Sequence, residues 1–188
     1  MNTAICISGI GRSLEHTFEN IKTNLIESFE NYDVLVYLGK GKSSDKASDL
    51  FSTIKNVHIN VVEEGDVDLE GIRFLSGWLE GHVRKDGSTP TPQSNMKFFN
   101  GRVALSEMLI KAEKDLGKKF DRVINSRDDV HYWKPVAPLV DGLDMNKIWI
   151  PHFHHHHNGY CDRFAISNTE NMIKYLTMSR YFKQCCAQ

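Results

Sequence analysis

The feature that most constrains this chain is an apolar run that ends abruptly in charge, within the segment FDRVINSRDDVHYWKP. Val123 and Ile124 have the character of a buried strand, and Arg127, Asp128 and Asp129 follow shortly after. Aspartate is rarely tolerated near a core unless it is paired, hydrogen-bonded or bound to a cation. Since open α/β sheets bind ligands at the carboxyl ends of their strands, the segment predicts a metal or phosphate site. The alternative is a surface turn held by salt bridges among the same residues.

The first third of the sequence alternates between strand and helix patterns. Short strands are predicted at 4–10, 33–38 and 57–62, with a helix after Ser13, a good N-cap residue, and another over 45–55. This β-α-β-α-β order predicts an α/β fold in which helices flank a mixed, mainly parallel sheet.

The remainder is less regular at first and then returns to clear patterns. One short helix at 72–79 and a mobile loop over 84–93 are predicted. A long helix over 95–116, with an apolar stripe that includes Phe99 and Val103, ends at Gly117. Strands are expected at 147–151 and 163–166, followed by a last helix that starts at the capping-box sequence SNTE and continues to about 182. We expect one domain over 1–188, with the option that it is the N-terminal part of a longer polypeptide.

Composition excludes several classes of function. The formal net charge is -1, so no broad basic surface favours nucleic acid as a partner. The sequence lacks a signal peptide pattern and any apolar stretch of membrane-spanning length. The four cysteines show no CxxC or disulfide spacing. A soluble protein of a reducing, cytoplasmic compartment is the expectation.

The first predicted turn, SGIGR, has the character of a phosphate-binding loop. The turn starts at Ser8, and Gly9 and Gly11 let the backbone approach a ligand at the start of a helix, whose free N–H groups attract anions. Arg12 adds a charge with bidentate geometry for phosphate. The sequence lacks the third glycine of the dinucleotide fingerprint, and a tight strand-to-helix turn explains both glycines almost as well.

An internal histidine cluster lies between the last two predicted strands, at His152 and 154–157. Consecutive side chains diverge, so at most one or two of these imidazoles could join a cation held by Asp129. Carboxylate, one imidazole and water suit Mn²⁺ or Mg²⁺, whereas structural zinc prefers cysteine or several histidines. The alternative for the cluster is a solvated polar loop.

Asp162 is the third carboxylate of interest, directly before an apolar strand. It could serve as a general base or orient a substrate hydroxyl. It could equally cap the strand or pair with Arg163. Tyr132, Trp133 and Trp149 are predicted to be packing residues, although an aromatic side chain at a crevice edge can stack on a sugar or base.

The order of these motifs resembles small GT-A glycosyltransferases. The resemblance rests on SGIGR after the first strand, DVLVYL as the second, FDRVINSRDDVHYWKP after the long helix, and later GYCDRFAIS, and it covers the whole chain. More narrowly, the chain is similar to the N-terminal glycosyltransferase domains of multidomain chlorovirus enzymes that build capsid glycan. Where the family has Asp-x-Asp this sequence has Arg-Asp-Asp, so Arg127 occupies the first acidic place.

The resemblance implies roles for particular residues. Asp129 is expected to be the main metal ligand, with Asp128 as its partner and a histidine such as His155 as a further ligand. Arg127 is expected to stabilise the charge that builds up on a departing nucleoside diphosphate, because a divalent ion and a guanidinium can share that task.

The remaining implied roles concern the donor and the acceptor. Ser8, Gly9, Gly11, Arg12 and Asp128 are expected to contact the nucleotide, and Asp162 the acceptor. The predicted function is metal-dependent transfer of a hexose or deoxyhexose, of glucose or rhamnose type, from a UDP-sugar to a glycan acceptor. A non-catalytic nucleotide- or metal-binding module and a metal-dependent nucleotidyltransferase or hydrolase are the alternatives.

Overall fold

The computed structural model describes residues 1–11, 13–40, 44–63, 65, 92–152 and 161–181. Within this part of the chain, five strands form one sheet in the order β3-β2-β1-β4-β5. The strands are β1 Thr3–Gly9, β2 Tyr32–Gly39, β3 Val57–Val62, β4 Arg122–Arg127 and β5 Phe164–Ser167. The first four are mutually parallel and β5 is antiparallel to β4. The predicted α/β class, with a mixed and mainly parallel sheet, is confirmed.

Helices cover both faces of the sheet. They are α1 Leu14–Ile21, α2 Ala47–Phe51, α3 Pro92–Leu116, α4 Ala137–Val140 and α5 Thr169–Leu176. A π-helical turn, Lys22–Ile26, continues α1, and short 3-10 turns lie at Ser44–Lys46 and Met178–Tyr181. None of the helices in the described residues is both long and apolar enough to span a membrane.

The central strands are buried on both faces because helices pack on each side. On one face, Ile5, Ile7 and Val36 belong to a core that includes Phe18 of α1. On the other face, Ala4, Cys6, Leu35 and Val123 pack in a core with Leu105 and Leu109 of α3. This two-sided burial explains why β1 and β2 appear in the sequence as continuous apolar runs.

The parallel arrangement places the ends of three strands at one edge of the sheet. Residues after Gly9, Gly39 and Arg127 leave the sheet there, and α1 begins at the same edge. The opposite edge is formed where β1, β2 and β4 begin and where the antiparallel β5 ends. The two edges are called here the carboxyl edge and the amino edge.

Several local predictions were wrong, and the structure gives physical reasons. The strand expected at 147–151 is reduced to one isolated bridge between Trp149 and Ile166, because Pro151 has no N–H to extend the ladder. The helix predicted over 45–55 is a 3-10 turn followed by the short α2. Trp133, predicted to pack, is 93% exposed.

The ends of two helices also differ from the predictions. The last helix is capped by Asn168, whose side chain accepts the N–H of Asn171, and not by Ser167 of the predicted capping box. Helix α3 begins at Pro92, a residue favoured in the first helical turn, so the predicted loop cannot extend to Gln93. The helix predicted over 72–79 and the rest of that loop lie outside the described residues.

Candidate functional site

The register of two parallel strands assembles the candidate site at the carboxyl edge. Ser8 of β1 lies beside Arg127 of β4, and the Asp128 amide donates a hydrogen bond to the Ser8 carbonyl at 3.0 Å. The next residue along each strand, Gly9 after Ser8 and Asp128 after Arg127, is therefore in contact with the other. Thr17 of α1 donates its hydroxyl to the Asp128 carbonyl at 2.6 Å, which fixes the turn from the other side.

The Asp128 carboxylate lies directly against the backbone of Gly9. A Cβ atom at Gly9 would be 1.8 Å from Asp128 Oδ1, so this close approach requires glycine. Asp128 is 4% exposed, and its Oδ2 has no hydrogen-bond partner in the described part of the chain. Burial, together with the negative charge of Asp129, raises the pKa of Asp128 from 3.8 to about 6, although the Gly11 amide donates a hydrogen bond to it.

Asp129 is held by a guanidinium. Arg127 Nε donates to Asp129 Oδ1 at 2.8 Å, and Arg127 Nη2 donates to Oδ2 at 2.5 Å. The third nitrogen, Nη1, is 3.8 Å from Asp162 Oδ2. The Arg127 guanidinium also lies 5.4 Å from the centre of the Phe98 ring. Burial acts to lower the pKa of Arg127, but the surrounding carboxylates raise it overall, so the guanidinium stays charged.

Helix α3 contributes a buried residue that the sequence interpretation missed. Arg102 is 1% exposed and donates a hydrogen bond to the Asp162 carbonyl. Its guanidinium is 4.5 Å from the Phe98 ring centre and 5.1 Å from that of Tyr175. The signal was an arginine four residues after Phe98, in line with Leu105 on the face of α3 that packs on the sheet. Arg102 thus anchors the backbone of Asp162 to α3.

The structure brings together most of the predicted site residues. Ser8, Gly9 and Gly11 follow or end β1, and Gly11, with φ of +63°, packs on the backbone of Ser44. Ser8 Oγ is buried and has no hydrogen-bond partner among the described residues. The Asp162 side chain is 47% exposed and faces Arg127.

Two predicted site residues, Arg12 and His155, lie outside the described residues, and their roles stay predictions. So do the catalytic, metal and nucleotide roles of the residues that the structure does describe.

The residues present fit a divalent cation with oxygen ligands. Asp128 supplies a buried oxygen that has no partner within the described residues, and Asp129 already binds a positive group, the guanidinium of Arg127. Within the described ranges, no cluster of three or more His, Cys, Asp or Glu side chains suits a metal ion. His155, which lies outside the described residues, stays the predicted further ligand.

Comparison with solved structures identifies the fold as GT-A. An active-site mutant of LgtC matches with a TM-score of 0.56 at 13% identity, covering 98% of this chain and 65% of LgtC. The galactosyltransferase LgtC in complex with donor and acceptor sugar analogues matches with a TM-score of 0.54 at 13% identity, with the same coverage. Mouse xyloside xylosyltransferase 1 in its apo form matches with a TM-score of 0.47 at 13% identity, over 100% of this chain and 74% of the mouse protein.

The chain thus spans about two thirds of the length of LgtC. No protein-family model and no curated protein sequence matches it. At such low identity the likeness establishes the fold only. The narrower resemblance to chlorovirus enzymes stays a prediction.

Proposed function

We propose that this protein is a metal-dependent glycosyltransferase that moves a hexose or deoxyhexose, of glucose or rhamnose type, from a UDP-sugar to a glycan acceptor. One observation carries the proposal: on a GT-A fold, the carboxyl edge of the sheet holds a buried carboxylate, one oxygen of which has no hydrogen-bond partner among the described residues. This is Asp128, and the Arg127–Asp129 ion pair lies beside it. A buried acceptor oxygen without a partner is unfavourable unless a cation or donor binds there.

The donor side of the site is formed by the turn after β1. Its glycines expose the backbone at the start of α1, where free N–H groups favour a diphosphate. The buried hydroxyl of Ser8 supplies a hydrogen-bond donor at the same edge. Arg12 is proposed to add a positive charge from the same turn.

The metal would be held by Asp128 and Asp129, with His155 as a proposed third ligand. Mn²⁺ or Mg²⁺ in that position would supply positive charge to the diphosphate as the sugar leaves. In this arrangement Asp128 keeps its backbone contact with the Gly11 amide, so the metal-binding oxygen is oriented before the ligand arrives.

Catalysis is assigned to the acceptor side. The Asp162 carboxylate is half exposed and anchored through its own carbonyl to Arg102, so it can accept a proton from an acceptor hydroxyl without moving its backbone. Arg127 has five N–H donors, which allows it to contact carboxylates and still donate to the departing diphosphate.

The first test is calorimetric titration of UDP with and without Mn²⁺, for the wild type and Asp129→Ala. The wild type should bind UDP at least about 10-fold more tightly with Mn²⁺, and the variant should lose this dependence while it stays folded. Asp115→Ala is the matched control, because Asp115 is an exposed carboxylate at the far end of α3. Metal-independent UDP binding by the wild type would contradict the proposed metal site.

Products separate the proposed function from its alternatives. Slow hydrolysis of one UDP-sugar in a donor screen with Mn²⁺ should release intact UDP. Release of pyrophosphate would indicate a nucleotidyltransferase, and UDP binding without any turnover would indicate a non-catalytic module. Asp162→Asn should lower turnover about 10²- to 10⁴-fold and leave UDP affinity at saturating Mn²⁺ nearly unchanged.

A further inference from the structure

Arg127 contacts two carboxylates that have different proposed roles. Its bidentate pair with Asp129 has N–O distances of 2.8 and 2.5 Å, and its remaining nitrogen is 3.8 Å from Asp162 Oδ2. One guanidinium therefore links the proposed metal ligand to the proposed general base. Both oxygens of Asp129 accept hydrogen bonds from Arg127, so a metal ion can bind Asp129 only in competition with the guanidinium.

We propose that Arg127 is an exchangeable counter-ion. A divalent cation that binds Asp129 displaces the guanidinium, which then pairs with Asp162 and positions that carboxylate. The inference rests on the proposed function, since it assumes a cation at Asp129. It assigns Arg127 a positioning role that couples metal binding on the donor side to the base on the acceptor side.

The geometry makes this exchange a small movement. The guanidinium is already within 4 Å of Asp162, so shortening 3.8 Å to a hydrogen-bond distance of about 2.8 Å requires a shift of about 1 Å. The ring of Phe98 lies beside the guanidinium, 5.4 Å from its centre, and offers an apolar surface along which it can move. Arg102 anchors the backbone of Asp162, so the second partner is already in place.

The energies also permit the exchange. The Arg127 and Asp129 side chains are 28% and 31% exposed, so water screens their pairing. Ion pairs that solvent reaches contribute about 0–1 kcal/mol, which a divalent cation can outcompete. Asp129 and Asp162 are alternative partners of the Arg127 guanidinium, so a metal ion that binds Asp129 strengthens the pairing of the guanidinium with Asp162. The coupling must be reciprocal: loss of Asp162 should weaken metal binding at Asp129.

A double-mutant cycle on Mn²⁺ affinity tests this coupling without an activity assay. Mn²⁺ is titrated by calorimetry into the wild type, Arg127→Gln, Asp162→Asn and the double variant. Arg127→Gln should bind Mn²⁺ about 2- to 5-fold more tightly, because the competitor for Asp129 is gone. Asp162→Asn should bind about 2- to 5-fold more weakly, because the displaced guanidinium has no second partner. The double variant should match Arg127→Gln.

Two further variants separate exchange from a general effect of charge. Lys134→Gln removes one exposed positive charge from the segment after Asp129 and should leave Mn²⁺ affinity unchanged within about 2-fold. Arg127→Lys keeps the charge and loses the bidentate geometry, so its affinity should fall between those of the wild type and Arg127→Gln. It also serves as the conservative variant if Arg127→Gln fails to fold.

The outcomes distinguish failure of the inference from failure of the proposed function. If Mn²⁺ binds but Arg127→Gln and Lys134→Gln have the same affinity, the exchange is wrong and the metal site stands. If Asp162→Asn weakens binding equally in the presence and absence of Arg127, Asp162 acts by its own charge and the exchange is again wrong. If none of the proteins binds Mn²⁺, the inference fails together with the proposed metal site.

Discussion

Two buried carboxylates at opposite edges of the sheet have opposite pKa shifts. At the amino edge, Glu113 accepts hydrogen bonds from Lys119 Nζ at 2.6 Å, the Phe120 amide at 3.0 Å and Thr169 Oγ1 at 2.8 Å. Burial acts to raise the pKa of Glu113, but these donors outweigh it and hold the pKa below its ordinary value of 4.5. This carboxylate joins α3, the segment before β4 and α5, and is part of the fold.

At the carboxyl edge, Asp128 is buried to a similar extent, but the donors that it has among the described residues are backbone amides, those of Gly11 and of Asp128 itself. Its exposure is 4%, against 7% for Glu113, yet Oδ2 has no partner in the described residues and the pKa is raised to about 6. Burial of a polar group is compatible with stability when hydrogen bonds satisfy it. The difference teaches that burial alone does not mark a ligand site: what distinguishes Asp128 from Glu113 is a carboxylate oxygen without a partner among the described residues, at the edge where the parallel strands end.

The largest effect is expected for Asp128→Asn. Between pH 4 and 6 the native protein binds more protons at Asp128 than the unfolded chain does, so wild-type stability should fall as pH rises through this window. The change in pKa from 3.8 to about 6 corresponds to roughly 3 kcal/mol. Urea unfolding at a series of pH values should show this loss in the wild type and not in the variant. Identical pH profiles for variant and wild type would mean that the pKa of Asp128 is not raised and that both its oxygens have hydrogen-bond partners in solution.

Gly9→Ala breaks the same site from the other strand. The added Cβ would be 1.8 Å from Asp128 Oδ1, so the carboxylate must leave its position. Mn²⁺-dependent UDP affinity should fall about 10- to 100-fold, as for loss of a group that orients a metal ligand. Gly65→Ala is the matched control, since its Cβ meets nothing within 4 Å. Equal titrations for the two alanine variants would exclude Asp128 from the ligand site.

Glu113→Gln should disturb stability and leave binding unchanged. Loss of charge-assisted hydrogen bonds from Lys119 and from its neighbours should cost about 2 kcal/mol of unfolding free energy at pH 7. Because the folded-state pKa of Glu113 is lowered, its contribution is present above about pH 4.5 and is lost as pH falls through the folded pKa. The stabilities of variant and wild type should therefore converge in acid. A changed UDP affinity would refute the separation between the two edges.

The sheet could be predicted from the sequence because its central strands are buried on both faces. The apolar run that ends at Arg127 is confirmed as β4, and the charged residues after it do lie at the carboxyl edge. The position of Asp128 against Gly9 could not be predicted, since it depends on the register that pairs Ser8 with Arg127 across 119 residues of sequence numbering. Pairing between distant strands leaves no local signal.

Individual side chains show the same limit. Arg102 is 1% exposed although arginine is usually found at the surface, because Phe98 and Tyr175 enclose its guanidinium. Trp133 is 93% exposed because its neighbour Tyr132 takes the inward position, where its hydroxyl lies 2.6 Å from Ser126 Oγ. In both cases tertiary contacts decide whether the side chain is buried, and the result is the opposite of what the residue type alone suggests.

The smallest expected effect concerns the start of α5 at the amino edge, where the cap lies one residue later than the sequence motif indicates. Asn168 Oδ1 accepts the Asn171 amide at 2.9 Å, whereas Ser167 donates its hydroxyl to the Lys147 carbonyl at 2.9 Å. Asn168→Ala should cost about 1 kcal/mol of unfolding free energy, and Asn168→Asp should recover most of it because the carboxylate restores the acceptor beside the helix N-terminus. Urea unfolding of both variants measures this, with UDP titration as the test of site integrity. If Asn168→Ala is neutral, Asn168 does not cap the helix, and if it alters UDP affinity, the amino edge is not independent of the ligand site.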